Sequence, residues 1–303
     1  MLLYFFALAN VFSGFSDNKI IKNLKPAPNK EVYCQIFGID FIYMINLDKR
    51  PEKWNLTKQE FERYGIKPYR FSAVNGWELT FETVQDVGLV YKPGMTPLMA
   101  SRFVQVDGKI IGSPEYMTKY GQVYYGVGFS LGAIGISLSH LSILYDAYLS
   151  GFETIWVVED DVVIYENPHR LTDLIRELDK CVGTNGWDVL YTDIDCYVEA
   201  TGIAKRPDIN CSEAWRNSPK FTDKSKIHSL FKKAPCRFGA YSMIVRRSGM
   251  KKILDYYMKS KIYQPYDLEI HYVNDIKKYA LTFDMVTSPK EAISDNGRKC
   301  YSD

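Results

Sequence analysis

The sequence predicts an α/β protein: a central, mostly parallel sheet flanked by helices. Three observations carry that expectation. Residues 41–47, FIYMINL, read as a fully buried strand; DKRPEKWNLTKQEFERYG follows as a helix; PYRFSAV (68–74) is a second strand ended by Asn75-Gly76. A strand, helix, strand unit joins parallel neighbours and is the building block of nucleotide-binding sheets. The second observation is a long apolar helix over LGAIGISLSHLSILYDAYLSGF. The third is a pair of later strands, IWVVEDDVVIY (155–165) and WDVLYTDID (187–195), each carrying acids.

Along the chain, Asp48 is a candidate N-cap for the first helix, Pro51 sits in its first turn and Gly65 closes it. Residues 80–128 are less regular, with RFVQVDGKIIG as a hairpin turning at Asp107-Gly108. The long helix is stopped by Gly151. It carries Ile134, Leu138, Leu141, Tyr145 and Tyr148 on one face and Gly132, Gly135, Ser139 and Ser142 on the other. That smooth face admits close approach by backbone or a ligand, or plain helix–sheet packing. HRLTDLIRELDK is a further helix. Residues 196–235, polar with Pro207 and Pro219, form a long excursion. RFGAYSMIVRRSGMKKILDYYMKS gives a strand, a turn and a helix, and YQPYDLEIHY starts another helix after Pro265.

At 303 residues the chain suits one large domain or two small ones, and one domain over 36–303 is the simpler reading. Residues 1–16, MLLYFFALANVFSGFS, resemble a signal-peptide core without a basic start, or a buried apolar segment; they are too short to span a bilayer. Residues 17–35 read as a polar, Pro-containing linker. A net charge of +2 without a basic block offers no electrostatic basis for binding nucleic acid. Six scattered cysteines and no CxxC suggest neither a zinc ribbon nor a thioredoxin-type site. Sequons at Asn55 and Asn210 are compatible with a secretory route.

The acidic triplet Glu159-Asp160-Asp161 lies between two β-branched runs. Like charges at ~4 Å repel by roughly 4 kcal/mol at an effective dielectric of ~20. A cation, a proton or solvent must relieve that. In extended chain Glu159 and Asp161 share one side, which suits a hard divalent ion carrying phosphate oxygens. A solvated turn is the plain alternative.

Eight blocks in order resemble glycosyltransferase family 25: IYMINLDKRPEKW, FSAVNG, GAIGISLSHL, WVVEDDVVI, WDVLY, GAYSMIVRRSGMKKIL, QPYDLEI and SPKEAISDN, spanning roughly 40–296. That family contains lipooligosaccharide and procollagen galactosyltransferases. The resemblance implies a GT-A-type fold, a UDP-sugar donor, a divalent metal such as Mn²⁺, and inversion at the anomeric carbon. It implies a metal ligand in Asp161, with Glu159 toward donor or metal, Asp160 beside them and Asp295 on the metal side. Asn46, Leu47 and Arg50, with Ala73, Val74, Asn75 and Gly76, are expected around the nucleotide, and Ser139 and His140 in the donor pocket. Asp267 matches the family's P-x-D and is the first candidate for general base; Asp193 and Asp195 are the second. The rival reading of Asp267 is an N-cap or first-turn acid after Pro265. The acceptor expected is a glycan or hydroxylysine-bearing protein. Regions 80–128 and 192–236 depart from the family, which bears on the acceptor. The site of action is the secretory pathway for a eukaryotic chain, or the cytoplasmic membrane face for a bacterial one.

Two other readings compete. VLYTDIDCY resembles the strand and D-x-D of haloacid-dehalogenase-like phosphatases, with Asp193 as nucleophile and Asp195 as acid/base. A catalytically inactive relative that keeps the fold and binds sugar or nucleotide is the other.

Overall fold

The structure, a computed structural model, describes residues 18–32, 34–194, 205–209, 212, 217–289 and 295. The expectations for 1–16, Asp195 and the Asn210 sequon lie outside these residues. Thirteen strands occur among them: β1 (Phe41–Asn46), β2 (Tyr69–Ser72), β3 (Leu89–Val90), β4 (Met99–Val106), β5 (Lys109–Tyr116), β6 (Val123–Tyr124), β7 (Thr154–Glu159), β8 (Val163–Ile164), β9 (Val189–Ile194), β10 (Phe231–Lys233), β11 (Ser242–Arg246), β12 (Lys278–Leu281) and β13 (Val286–Thr287). Seven of them form one sheet in the order β10-β12-β9-β11-β7-β1-β2. Strands β2, β1, β7, β9 and β12 run one way; β11 runs against β7 and β9, and β10 against β12.

Strand alternation divides the core between the sheet's two faces. Phe41, Tyr43 and Ile45 of β1, with Ile155 and Val157 of β7, face the helices Leu131–Leu149 and Arg247–Ser260. Ile42, Met44, Trp156 and Val158 face Phe61 of the helix Pro51–Glu62 and Leu171, Leu174 and Leu178 of the helix Leu171–Val182. Both faces are covered, which explains why β1 and most of β7 read as continuous apolar runs rather than alternating ones.

Several local expectations are met. Asp107 and Gly108 both take positive φ (49° and 76°), the geometry of a two-residue hairpin turn, and join β4 to β5. Ser130 caps the long helix by accepting from the Ala133 amide, and Gly151 with φ +79° ends it. Others are corrected. The residue flanking the first helix is Arg50, not Asp48, and the Asp48 carboxylate instead accepts from Ser72 Oγ at 2.6 Å. The turn expected between β11 and its helix is missing, because helix begins at Arg247, directly after Arg246. Residues 18–27, expected within a linker, pack on the core: Ile20 and Ala27 are buried, Asn18 Nδ2 donates to Met258 O and the Lys25 amide donates to Ser142 Oγ. No helix of the described residues is long and apolar enough to cross a membrane.

Candidate active site

Because β1, β7 and β9 run parallel within the sheet order, their carboxyl ends lie along one edge, the usual place for ligands in such sheets. The reversed strand β11 brings its entry loop, residues 234–241, to the same edge. There the Glu159 amide donates to Tyr241 O at 2.8 Å.

At the end of β7 the strand stops at Glu159, and Asp160 and Asp161 form a turn, so the three carboxylates diverge. Glu159 Oε1 lies 3.0 Å from His140 Nε2. Asp160 accepts from Asn46 Nδ2 at 2.5 Å, and its carbonyl accepts from Thr57 Oγ1 at 2.7 Å. Burial raises the Asp160 carboxyl pKa, while the Asn46 hydrogen bond opposes the shift. Asp161 is less well supported: its Oδ1 is shielded from solvent and has no hydrogen-bond partner among the described residues, and the Lys53 charge and its own backbone amide are what oppose the rise in its pKa. Burial, then the charges of Glu159 and Asp160, push its pKa up to about 7.

An orphaned, hard oxygen beside two other carboxylates fits a divalent cation. No group of three or more His, Cys, Asp or Glu side chains gathers to hold a metal among the described residues. A small divalent ion that carries substrate phosphates needs only one or two protein carboxylates, so Asp161 with Glu159 suits that task. Asp295 faces cations instead: its carboxylate pairs with Arg50 and, at 2.8 Å, with Lys53.

The expected donor residues fall into two groups. Asn46 is buried and acts as a hub. Besides holding Asp160, its amide donates to Arg50 O at 2.9 Å and its Oδ1 accepts from Arg70 Nε at 2.7 Å. Leu47 packs partly buried against the core. The second group is the loop after β2. The Ala73 amide donates to Asn46 O, the Val74 amide donates to Ser139 Oγ at 2.8 Å, and Asn75 Oδ1 caps the turn at Trp77. One glycine on each side, Gly135 of the helix and Gly76 of the loop, makes this contact possible. A Cβ on Gly135 would lie 2.5 Å from Gly76 N, and one on Gly76 would lie 1.9 Å from Leu131 O. The smooth helix face therefore receives backbone. Ser139 and His140, expected in the donor pocket, are buried, Ser139 holding the Val74 amide and His140 the Glu159 carboxylate.

Asp267 lies in the first turn of the short helix Tyr266–Glu269, as Pro265 predicts. Its Oδ2 accepts from the Gly239 amide at 2.8 Å and its Oδ1 from the Leu268 amide at 3.0 Å. Each oxygen keeps a second lone pair for a substrate hydroxyl. Burial raises its pKa against the pull of these amides, and Glu159 is near enough to raise it further. Asp193 is different. It is fully buried, its oxygens accept from Arg237 Nη1 and Nη2 at 3.1 and 2.9 Å, and Tyr241 Oη donates at 2.6 Å. Asp193, the second base candidate and the nucleophile of the phosphatase reading, is thus committed to a buried guanidinium and a tyrosine hydroxyl rather than open to a substrate.

Sequence reasoning missed Lys53, whose charge opposes the upward pKa shifts of both Asp160 and Asp161, although it stands in the RPEKW block. It also missed Tyr266, stacked on His140 with ring centroids 4.3 Å apart, and Arg237. Tyr266 adjoins Asp267 and was open to inspection; nothing local marks Arg237 as the partner of Asp193, 44 residues away.

The family profile described as glycosyltransferase family 25 (LPS biosynthesis protein) matches residues 39–270. Among curated proteins, a "Glycosyltransferase 25 family member" of Aedes aegypti is 28% identical over 154 residues, covering 51% of this chain and 21% of its own length. A protein of the same name from Drosophila melanogaster is 25% identical over 170 residues, 56% of this chain and 23% of that one. The human "Inactive glycosyltransferase 25 family member 3" is 24% identical over 155 residues, 51% of this chain and 22% of that one. The chain thus aligns to about a fifth of the length of these relatives. From the match over 39–270, within an α/β sheet of the expected kind, the chain belongs to glycosyltransferase family 25.

Proposed function

We propose that this chain is an inverting, metal-assisted hexosyltransferase. It moves a hexose, galactose foremost, from a UDP-sugar to a hydroxyl of a glycan or of a hydroxylysine-bearing polypeptide. The observation that carries this is the orphaned Asp161 oxygen at the end of β7, next to Glu159 and with Asp267 close behind.

The nucleotide fits along the loop 73–76 and the end of β1, where Arg50 and Lys53 bring positive charge and the buried Asn46 braces the strand end. Asp161 with Glu159 would hold a divalent cation such as Mn²⁺, which supplies neutralisation of the charge growing on the leaving diphosphate. His140 holds Glu159 at 3.0 Å, and the Tyr266 ring fixes the imidazole from one face. Asp267 accepts the proton of the attacking hydroxyl as that oxygen bonds to the anomeric carbon opposite the departing UDP, which gives inversion. A carboxyl whose pKa is raised by burial is a stronger base for this step. The leader-like 1–16 stretch supports a secretory setting, and 36–303 is read as one catalytic domain.

UDP release from a panel of UDP-sugars, with a glycan or hydroxylysine acceptor and Mn²⁺, tests the reading. Release from one sugar is expected, lost with chelator and at least ~100-fold slower in Asp161→Asn and in Asp267→Asn, on the scale of a lost general base. Asp267→Asn should still bind UDP with wild-type affinity. Similarity to relatives named inactive supports a second reading, a nucleotide-binding protein without turnover. UDP binding with no release from any donor would favour it.

A further inference from the structure

The turn that carries Asp267 is held from behind by a buried cluster that the reaction does not use. Glu269 is fully buried. Its carboxylate accepts from the Arg206 guanidinium, from Tyr256 Oη at 2.6 Å, and from the amides of Gln264 and Tyr263 at 2.5 and 3.2 Å. Those two amides lead directly into Pro265, Tyr266 and Asp267. Arg206 is equally buried. It forks onto Asp208 at 2.9 and 3.0 Å, donates to Ser260 O at 2.8 Å, and lies between the rings of Tyr256 and Tyr263. Replacing such a pair by apolar groups commonly leaves stability unchanged, so what the pair supplies here is geometry.

A second set of contacts points the same way. The 80–128 region and the 205–209 segment meet on this turn. The Ile262 amide donates to Val87 O at 2.9 Å, the Leu89 amide donates to Ile262 O at 3.1 Å, and the Gly126 amide donates to Tyr263 O at 2.6 Å. The two segments also touch each other, Thr96 amide to Pro207 O at 2.8 Å.

We infer that Arg206 and Glu269 are a positioning pair that locks the 80–128 and 205–209 segments against the Asp267 turn and so sets the place of the base. The inference rests on the proposed role of Asp267. A base displaced by ~1 Å loses about 10²-fold in rate while nucleotide affinity is untouched, because the donor is held on the other side of the edge.

The test is the double variant Arg206→Met with Glu269→Leu in the full chain, which leaves no orphaned charge. Three quantities are read: amide hydrogen exchange over 262–269, calorimetric UDP affinity, and UDP release from UDP-galactose with and without added glycan. Expected are exchange at least tenfold faster over 262–269, an unchanged UDP affinity, and UDP release at least tenfold slower at a donor KM within twofold. Unchanged exchange, or faster exchange with wild-type turnover, overturns the inference. If the double variant does not fold, Tyr256→Phe reads the same lock by deleting one donor to Glu269 and no charge. It should speed exchange and slow release about threefold, and wild-type values in both would overturn the proposal. Wild-type protein that releases no UDP from any donor sinks the proposed function instead, and the exchange data still decide whether the pair locks the turn.

Discussion

Asp161 carries its carboxylate where burial and two neighbouring carboxylates all oppose ionisation, and its pKa of about 7 has a consequence for stability. In the unfolded chain the same group titrates near the ordinary carboxylate value of ~3.9. Between these values the folded state binds the extra proton, so this group's contribution to stability falls as pH rises from about 4 to about 7. Without divalent cation, Asp161→Asn should therefore raise the melting temperature at pH 8 by a few degrees and change it little at pH 4. Mn²⁺ should raise the wild-type value at pH 8 and leave the variant alone; calorimetric scans at the two pH values check both. Asp193 predicts the opposite kind of phenotype. Asp193→Ala leaves the buried Arg237 guanidinium unpaired, a loss of about 3–5 kcal/mol. A denaturant midpoint that hardly moves would show that Asp193 is not the brace its contacts describe. From the sequence both residues are acids near a strand end; which one is spent on an arginine is decided by a residue far along the chain.

At the level of elements, the fit between the loop 73–76 and the helix Leu131–Leu149 is the most demanding contact at the site. Gly135→Ala places a Cβ 2.5 Å from Gly76 N and 2.6 Å from Val74 O, both backbone atoms that cannot rotate away. Overpacking of this kind costs about 1–3 kcal/mol. The loop should move off the helix, and UDP affinity should fall about tenfold, the equivalent of ~1.4 kcal/mol; titration calorimetry reads it. An affinity equal to wild type would mean that the loop does not border the nucleotide. The glycine and serine stripe was visible in the sequence as a smooth face, because helical spacing is a local property. What lies on it was not, because a ligand and a backbone segment ask the same thing of a glycine. Strands β1 and β2 and the Asp107-Gly108 hairpin were legible for the same reason: apolar runs and turn residues announce themselves within a few positions. The four-residue β12, KYAL, was not, since it follows a polar stretch and gains its place by pairing with β9 and β10.

Across the whole molecule, the site depends on one reversal in the sheet. The antiparallel β11 sits between β7 and β9, so its entry loop crosses the edge at which the parallel strands end. That loop touches both sides of the proposed chemistry. Tyr241 O accepts from the Glu159 amide at 2.8 Å, and the Gly239 amide donates to Asp267 at 2.8 Å. Sheet order is a matter of long-range pairing, which explains why eight ordered family blocks indicated the fold while none of them revealed this bridge. Gly239 leaves little room for a side chain. Its φ is +81°, and a Cβ there would lie 2.3 Å from the Tyr241 ring. Gly239→Ala should therefore turn its amide away from Asp267, leaving that carboxylate one donor poorer and less fixed in direction. Turnover should fall at least tenfold, consistent with a base shifted by a fraction of an ångström. UDP affinity should stay as in wild type, because the loop 73–76 lies at the opposite side of the sheet edge. Equal losses in affinity and turnover would instead mean that the loop supports the whole edge rather than the base alone.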